Sequence, residues 1–314
     1  MNVHKVLYKK YFLDDKPVID ENVTSSHWKE YSTKIKVKNI EDEDSEQFDI
    51  RGYGFGENQK LNFLNQIFSN VAISVYNFML KMPWLNQDIE KSKQLVTKMG
   101  LSYSLDGFRQ TCTLNFLKRN LLSPPKRILI IGDGYGILAA LLHATYPDVI
   151  IYLIDLGPML FFQSFYLNKA FPKISQSISC SKEVFIESAF NFLPADKIES
   201  LPSYSFDLAI NIASMQEMDM KVVSRYFCLM RENKTKAFYC CNRLEKQMPG
   251  GEVSSFMHYP WFPSDNILID ELCPWHTWFL GYGDSPNVKL FGLPLPLVHR
   301  YDGPHWHRFA LLSS

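Results

Sequence analysis

RILIIGDGYGILAALLHATYPDVIIYLIDLGPMLFF, running from Arg127 to Phe162, reads as strand, glycine-rich turn, helix, second strand and then a lone carboxylate. Ile128 to Ile131 is a short, fully apolar, β-branched run of the kind that forms a buried parallel strand. It breaks at Gly132, Gly134 and Gly136. Glycine accepts positive φ and lets the backbone approach a ligand, while the N-terminus of the following helix, Ile137 to Thr145, presents free N–H groups and a positive dipole end. Tyr146-Pro147-Asp148 ends that helix, and Val149 to Ile154 forms the next strand. Its end places Asp155 where a carboxylate accepts hydrogen bonds from two ribose hydroxyls. The unit has the build of a nucleotide-cofactor site.

The glycine spacing separates two enzyme classes. A dinucleotide oxidoreductase uses G-x-G-x-x-G, but the position three after Gly134 is Ile137, and the pattern here is G-x-G-x-G. That pattern resembles motif I of the class I S-adenosylmethionine-dependent methyltransferases. A second glycine triplet, Gly52, Gly54 and Gly56, follows the acidic run Glu41 to Glu46 and no convincing strand, so it reads as a decoy. More narrowly, the chain resembles the sugar O-methyltransferase family found beside bacterial polysaccharide and O-antigen genes. The matching pieces are IGDGYG (Ile131 to Gly136), IDLGP (Ile154 to Pro158), NIASMQEM (Asn211 to Met218) and FYCCNR (Phe238 to Arg243). The resemblance implies S-adenosylmethionine as cofactor and a sugar hydroxyl as acceptor. It implies cofactor contacts from Gly132, Asp133, Gly134, Tyr135, Gly136, Asp155, Leu156, Ala189, Phe190 and Asn211. The loop after the fourth strand faces the transferable methyl group in this fold, which makes Ser214, Gln216 and Glu217 pocket candidates. Two departures stand out. The acidic residue often found two positions before the first motif glycine is Ile130, and the one often found after the third strand, facing adenine, is absent from Glu187 to Phe190 unless Glu187 serves.

Composition bounds the rest. With 314 residues, 46% hydrophobic and 14% aromatic, the chain can fill a substantial core. Lys plus Arg equals Asp plus Glu at 33 each, which gives no global attraction to nucleic acid or anionic membrane. The six cysteines have no C-x-x-C spacing, and they read as reduced and structural. The first residues lack the apolar core of a signal peptide, and no run suits a membrane span, so a cytoplasmic protein is expected.

The expected fold is α/β, a doubly wound seven-stranded Rossmann-like methyltransferase sheet preceded by a helical region. Residues 1–57 read as an extended N-terminal arm, 58–122 as a helical lid, and 125–314 as the cofactor-binding domain, with an insertion at about 247–283. Helices are expected over Gln59 to Met82, Asn86 to Met99 and Leu105 to Leu122, with Ser104 as an N-cap. Val184 to Ile186, Phe206 to Ala213 and Ala237 to Cys241 read as the third, fourth and fifth strands, and Val288 to Pro296 and His307 to Leu312 as the last two.

A sugar hydroxyl is a poor nucleophile at neutral pH, so a general base is useful. Glu217, His258 and His276 are the candidates, with Tyr259, Trp261, Trp275 and Trp278 placed to stack on sugar faces. His4, His27 and His143 read as surface or packing residues. His299, Asp302, His305 and His307 suggest a metal, but hard cations prefer oxygen ligands and the cluster reads as an exposed hairpin, so no metal is assigned. A small-molecule substrate is expected, with no nucleic-acid partner, and homo-oligomer formation stays open. The rival readings are a methyltransferase of another small molecule or lipid, an NAD-dependent oxidoreductase, and a non-catalytic binding protein on the same fold.

Overall fold

The computed structural model describes residues 2–13, 24–32, 36–39, 48–51, 63–179, 186–280, 287–300 and 303–313. In chain order it contains α1 (Val3–Tyr8), which runs into a π-helical turn, then α2 (Ser26–Ser32), β1 (Lys36–Asn39), β2 (Phe48–Arg51), α3 (Phe63–Leu80), α4 (Leu85–Lys98) and α5 (Leu105–Asn120). Next come β3 (Arg127–Ile131), α6 (Ile137–Thr145), β4 (Ile150–Asp155), α7 (Gly157–Ala170), β5 (Gln176–Ile178), β6 (Phe190–Pro194), β7 (Leu208–Ile212), α8 (Met220–Glu232) and β8 (Ala237–Arg243). The remainder is β9 (Glu245–Gln247), β10 (Val253–Ser255), β11 (Asn266–Leu272), β12 (Trp278–Leu280), β13 (Asn287–Leu290), β14 (Leu293–Arg300) and β15 (His305–Leu311).

The main sheet runs β11-β15-β8-β7-β3-β4-β6-β5. All its strands are parallel except β15, which is antiparallel to both β8 and β11. This is the expected doubly wound α/β sheet with one strand more than expected, the edge strand β5. Neighbours β4 and β7 flank β3, so the strand order reverses there, and the crevice at such a switch point is where open α/β sheets bind ligands. Successive residues of the central strands face opposite layers. Ile128, Ile130, Ile151, Leu153, Phe192, Ile210 and Tyr239 pack with α4 to α7, and Leu129, Ile131, Tyr152, Ala209 and Phe238 pack with Val223, Tyr226 and Met230 of α8. Both faces are covered, which is why these strands read as unbroken apolar runs.

The helices before the sheet form as their periodicity predicts, and the Ser104 hydroxyl caps α5 by accepting from the N–H groups of Asp106 and Gly107 at 3.2 and 3.4 Å. Among the described residues of the first segment, Val3–Tyr8 and Ser26–Ser32 are helical rather than extended. Val3 and Leu7 of α1 and Tyr11 just beyond it are buried, and an ideal Cβ on Gly157 at the start of α7 would sit inside the Tyr11 ring. Gly52, Gly54 and Gly56 lie outside the described residues.

Two strand assignments shift. The strand expected at Val184 to Ile186 is β6 instead, at Phe190–Pro194; residues 184 and 185 lie outside the described residues and Ile186 is in no strand. The sixth strand of the main sheet is β11, inside the expected insertion, and Val288 to Pro296 belongs to a separate three-stranded sheet, β12-β14-β13. β11 is an edge strand with most of its residues exposed, so Asp270 and Glu271 replace the apolar alternation that marks a strand. Among the described residues, no helix is long and apolar enough to cross a membrane.

Candidate functional site

The turn between β3 and α6 holds three positive-φ glycines, Gly132 at 74°, Gly134 at 58° and Gly136 at 79°. Close packing adds to the backbone demand. A Cβ on Gly132 would stand 2.5 Å from the Ser214 Cβ, and one on Gly136 would stand 3.3 Å from Leu167. The loop after β7 therefore lies directly against motif I at the switch point, as SMQEM is expected to do.

Asp133 turns back onto α6, accepting from the N–H groups of Leu138 at 3.2 Å and Ala139 at 2.8 Å, which satisfies two orphan donors of that helix. Tyr135 puts its ring into the core against Phe162 and Tyr166, so its backbone is the part that can face a ligand. Asp155 accepts from the Leu156 N–H at 2.8 Å and from the Gln163 amide at 2.7 Å. Burial pushes both carboxyls up to about 7, opposed at Asp133 by the Ala139 and Leu138 N–H groups and at Asp155 by Leu156, Gln163 and the backbone of Gly134 and Asp133. The two carboxyls also raise each other's cost of ionisation, since the Asp155 charge acts on Asp133. A carboxylate offers about four lone-pair directions and Asp155 already faces these four donors, so a ligand hydroxyl would have to displace one of them. Gln163 was not legible as a site residue. It is fully buried beside Gly136 and Asp155, and among the described residues its side-chain oxygen finds no donor.

The third strand moves the adenine side of the site. Ala189 and Phe190 lie at the N-terminal end of β6, where Phe190 packs on His143 and Phe171, far from the crevice. Glu187 is at that same end, paired with Arg127 at 3.0 Å and with the Tyr152 hydroxyl at 2.7 Å. The register pairs Asp155 with Pro194, so the residues at the crevice end are Pro194, Ala195 and Asp196. Asp196 is the acidic residue that follows the third strand of the main sheet's parallel set.

Asn211 is consumed by the protein. Its amide donates to the Ile131 carbonyl at 2.8 Å, and its oxygen accepts from the Met215 N–H and the Asn242 amide. Asn242 in turn accepts from the Gln216 N–H at 3.0 Å, and the Gln216 side chain accepts from the Arg243 N–H. This buried network fixes the 3-10 turn Met215–Glu217, which Ala213 enters with a φ of 52°. Asn211 and Gln216 are thus positioning residues. Asn242→Ala removes the acceptor of the buried Gln216 N–H and is expected to lower stability by about 2 kcal/mol. Urea denaturation checks this, and an unchanged midpoint would show that the network does not hold the turn.

The three candidate bases do not converge. Glu217 lies 2.7 Å from Lys246 and 3.4 Å from His27. Burial would raise its carboxyl, but His27 and Lys246 hold it below the ordinary value, so at neutral pH it is an ion-paired carboxylate. His27, expected as a surface or packing residue, is drawn to it by α2; Ser25 also donates to the Glu217 carbonyl, and Ser26 binds Glu252 at 2.8 Å. His258 is exposed, beyond the buried Phe256 and Tyr259 that pack under α8. His276 is buried on the α5 side of β8, stacked on His305 with ring centroids 5.3 Å apart. The expected exposed hairpin is a correction too, because His299, His305 and His307 are all buried; Asp302 lies outside the described residues. Burial, then the positive fields of Arg243, Arg109 and Lys246, hold His305 far below its usual value. Burial, then His305, Arg109 and His307, do the same to His276. Both rings are neutral at pH 7. Of the aromatic candidates, Trp275 and Tyr259 are buried, and Trp261 stacks on Phe238 in the α8 layer, so these three pack the core. The side chain of Trp278 lies outside the described residues.

No protein-family profile matches the chain, and no curated protein matches it. Among solved structures, it is similar to TehB from Haemophilus influenzae, at 12% identity and a TM-score of 0.41 over 64% of this chain and 62% of that one. It is similar to an rRNA methylase from Escherichia coli, at 12% identity and a TM-score of 0.37 over 73% and 77%. It is also similar to coclaurine N-methyltransferase bound to N-methylheliamine and SAH, at 11% identity and a TM-score of 0.36; there it covers 52% of this chain and 50% of that one, about half its length. Likenesses this distant carry no argument about acceptor or mechanism.

Proposed function

We propose that this chain is an S-adenosylmethionine-dependent methyltransferase acting on a hydroxyl of a sugar or sugar-containing precursor. The observation that carries the reading is the glycine turn at the β3 switch point, closed on one side by Ser214 and bordered by the Asp155 carboxylate at the end of β4. The buried Gln163 oxygen lacks a donor among the described residues, which suits a ligand lying across this turn. Asp155 would hold the ribose hydroxyls and Asp196 the adenine edge, with Gln163 accepting from the same ligand. S-adenosylmethionine supplies an activated methyl group when bound, which leaves the protein to align the acceptor and remove a proton.

His305 is the base that this arrangement favours. It is the first residue of β15, pairs with Arg243 at the crevice end of β8, and is a neutral imidazole able to accept a hydroxyl proton. Glu217 is already ionised and paired, and its part is to hold Lys246 and the α2 segment over the site. The fields of Arg109, Arg243 and Lys246 on His305 supply positive potential beside it, which suits an acceptor carrying phosphate or carboxylate.

Calorimetry with S-adenosylhomocysteine and with NAD is expected to show binding of the first only. Labelled methyl transfer to a panel of nucleotide sugars is expected to place the label on the sugar. Binding of NAD alone would overturn the cofactor reading, and cofactor binding without transfer to any sugar would overturn the acceptor.

A further inference from the structure

Three buried side chains on the α5 face, none of them used above, converge on one point. Cys241 stands on β8, and Cys273 and His276 lie in the turn that follows β11, with 0%, 1% and 5% exposure. The His276 Nδ1 is 3.3 Å from the Cys273 Sγ and 3.6 Å from the Cys241 Sγ, and all three atoms lie within 4.8 Å of one another. A tetrahedral zinc ion with ordinary Zn–S and Zn–N bonds of about 2.3 and 2.1 Å requires sulfur–nitrogen edges of about 3.6 Å. The protein already presents one face of that tetrahedron.

We propose that Cys241, Cys273 and His276 bind one zinc ion that ties β8 to the turn after β11. Thiolate and imidazole ligands select zinc over magnesium or calcium, and all three lie buried away from bulk solvent. Each thiol gives up its proton to solvent as its Zn–S bond forms, with no change of oxidation state. The surroundings fit a dry, closed site. Phe116, Tyr239 and Trp275 wall it, and the Trp275 indole donates to the Thr113 hydroxyl of α5 at 3.1 Å, fastening the turn to the helix. His276 also stacks on His305, so a fixed His276 would fix the candidate base. The site does not depend on the methyltransferase reading, because none of its ligands touches the glycine turn.

The test uses the full chain, reduced, equilibrated with zinc and then desalted. Elemental analysis is expected to find about one zinc per chain, and cobalt in its place to give sulfur-to-metal charge-transfer absorption with the intense visible bands of a tetrahedral site. Cys241→Ser, Cys273→Ser and His276→Ala are each expected to lose most of the metal, while Cys228→Ser, at an exposed cysteine outside the cluster, keeps it. Should these variants fail to fold, removing zinc from the wild-type chain with a chelator and following circular dichroism and cobalt uptake reads the same site. A folded wild-type chain that takes up neither zinc nor cobalt would overturn the proposal, as would metal retained undiminished in the three ligand variants.

Discussion

Asp155→Ala is expected to weaken S-adenosylhomocysteine binding by about 100-fold, near 2.7 kcal/mol, because two hydroxyls lose a charged acceptor and charge-assisted hydrogen bonds are worth about 1.5–3 kcal/mol each. Asp196→Ala should cost less, about 10-fold, since its side chain is 28% exposed and water competes for the adenine edge. Isothermal calorimetry checks both, with thermal unfolding as the control for folding. Unchanged affinity in Asp155→Ala would remove the ribose assignment. The pH dependence follows from the same carboxyl. Folded, Asp155 is pushed up to about 7 from an ordinary 3.8, so between those values the folded chain holds a proton that the unfolded chain has lost. Its contribution to stability therefore falls as pH rises from about 4 to about 7 and levels off above. Ribose hydroxyls donate to the ionised form, so cofactor affinity should rise from pH 6 to pH 8. Affinity that falls over that interval would contradict the assignment.

The second large effect is expected from Gly132→Ala. The residue has a φ of 74°, and a Cβ would meet the Ser214 Cβ at 2.5 Å, a contact that rotation of the serine hydroxyl does not relieve. The left-handed backbone costs a non-glycine residue about 1–2 kcal/mol, and overpacking adds about 1–3 kcal/mol. Chemical denaturation should show a loss of about 2–4 kcal/mol, together with weakened cofactor binding, because Ser214 and motif I are pushed apart. Adding Ser214→Gly should restore the overpacking part and leave the backbone part, a coupling of about 1–3 kcal/mol. Strict additivity of the two substitutions would show that the two loops are not in contact.

The strand–glycine turn–helix unit of the candidate site was legible because its determinants are local. Strand β3, the three glycines, α6, β4 and Asp155 lie within one supersecondary unit, where β-branched runs and positive-φ residues speak for themselves. The adenine side was misread for an equally plain reason. FNFLP carries Asn191 and Pro194 and does not read as an apolar strand, yet its pairing with β4 sets Pro194 beside Asp155, with Asp196 two residues on. Asn211 stands at the end of β7, where a ligand contact is expected; that its amide donates to Ile131 and its oxygen accepts from Asn242 depends on two neighbouring strands.

By itself, the sequence determined a doubly wound α/β sheet, its switch point and the identity of the glycine turn, because hydrophobic period and glycine placement act over a few residues. Only the tertiary structure decided the acceptor side. It brought His27 of α2 to Glu217 in the loop after β7, buried His305 beside Arg243, left His258 in solvent, and gathered Cys241, Cys273 and His276 from β8 and the turn after β11. Such contacts are set by strand register and by the packing of α5 on the sheet, and no short-range pattern in the chain records them.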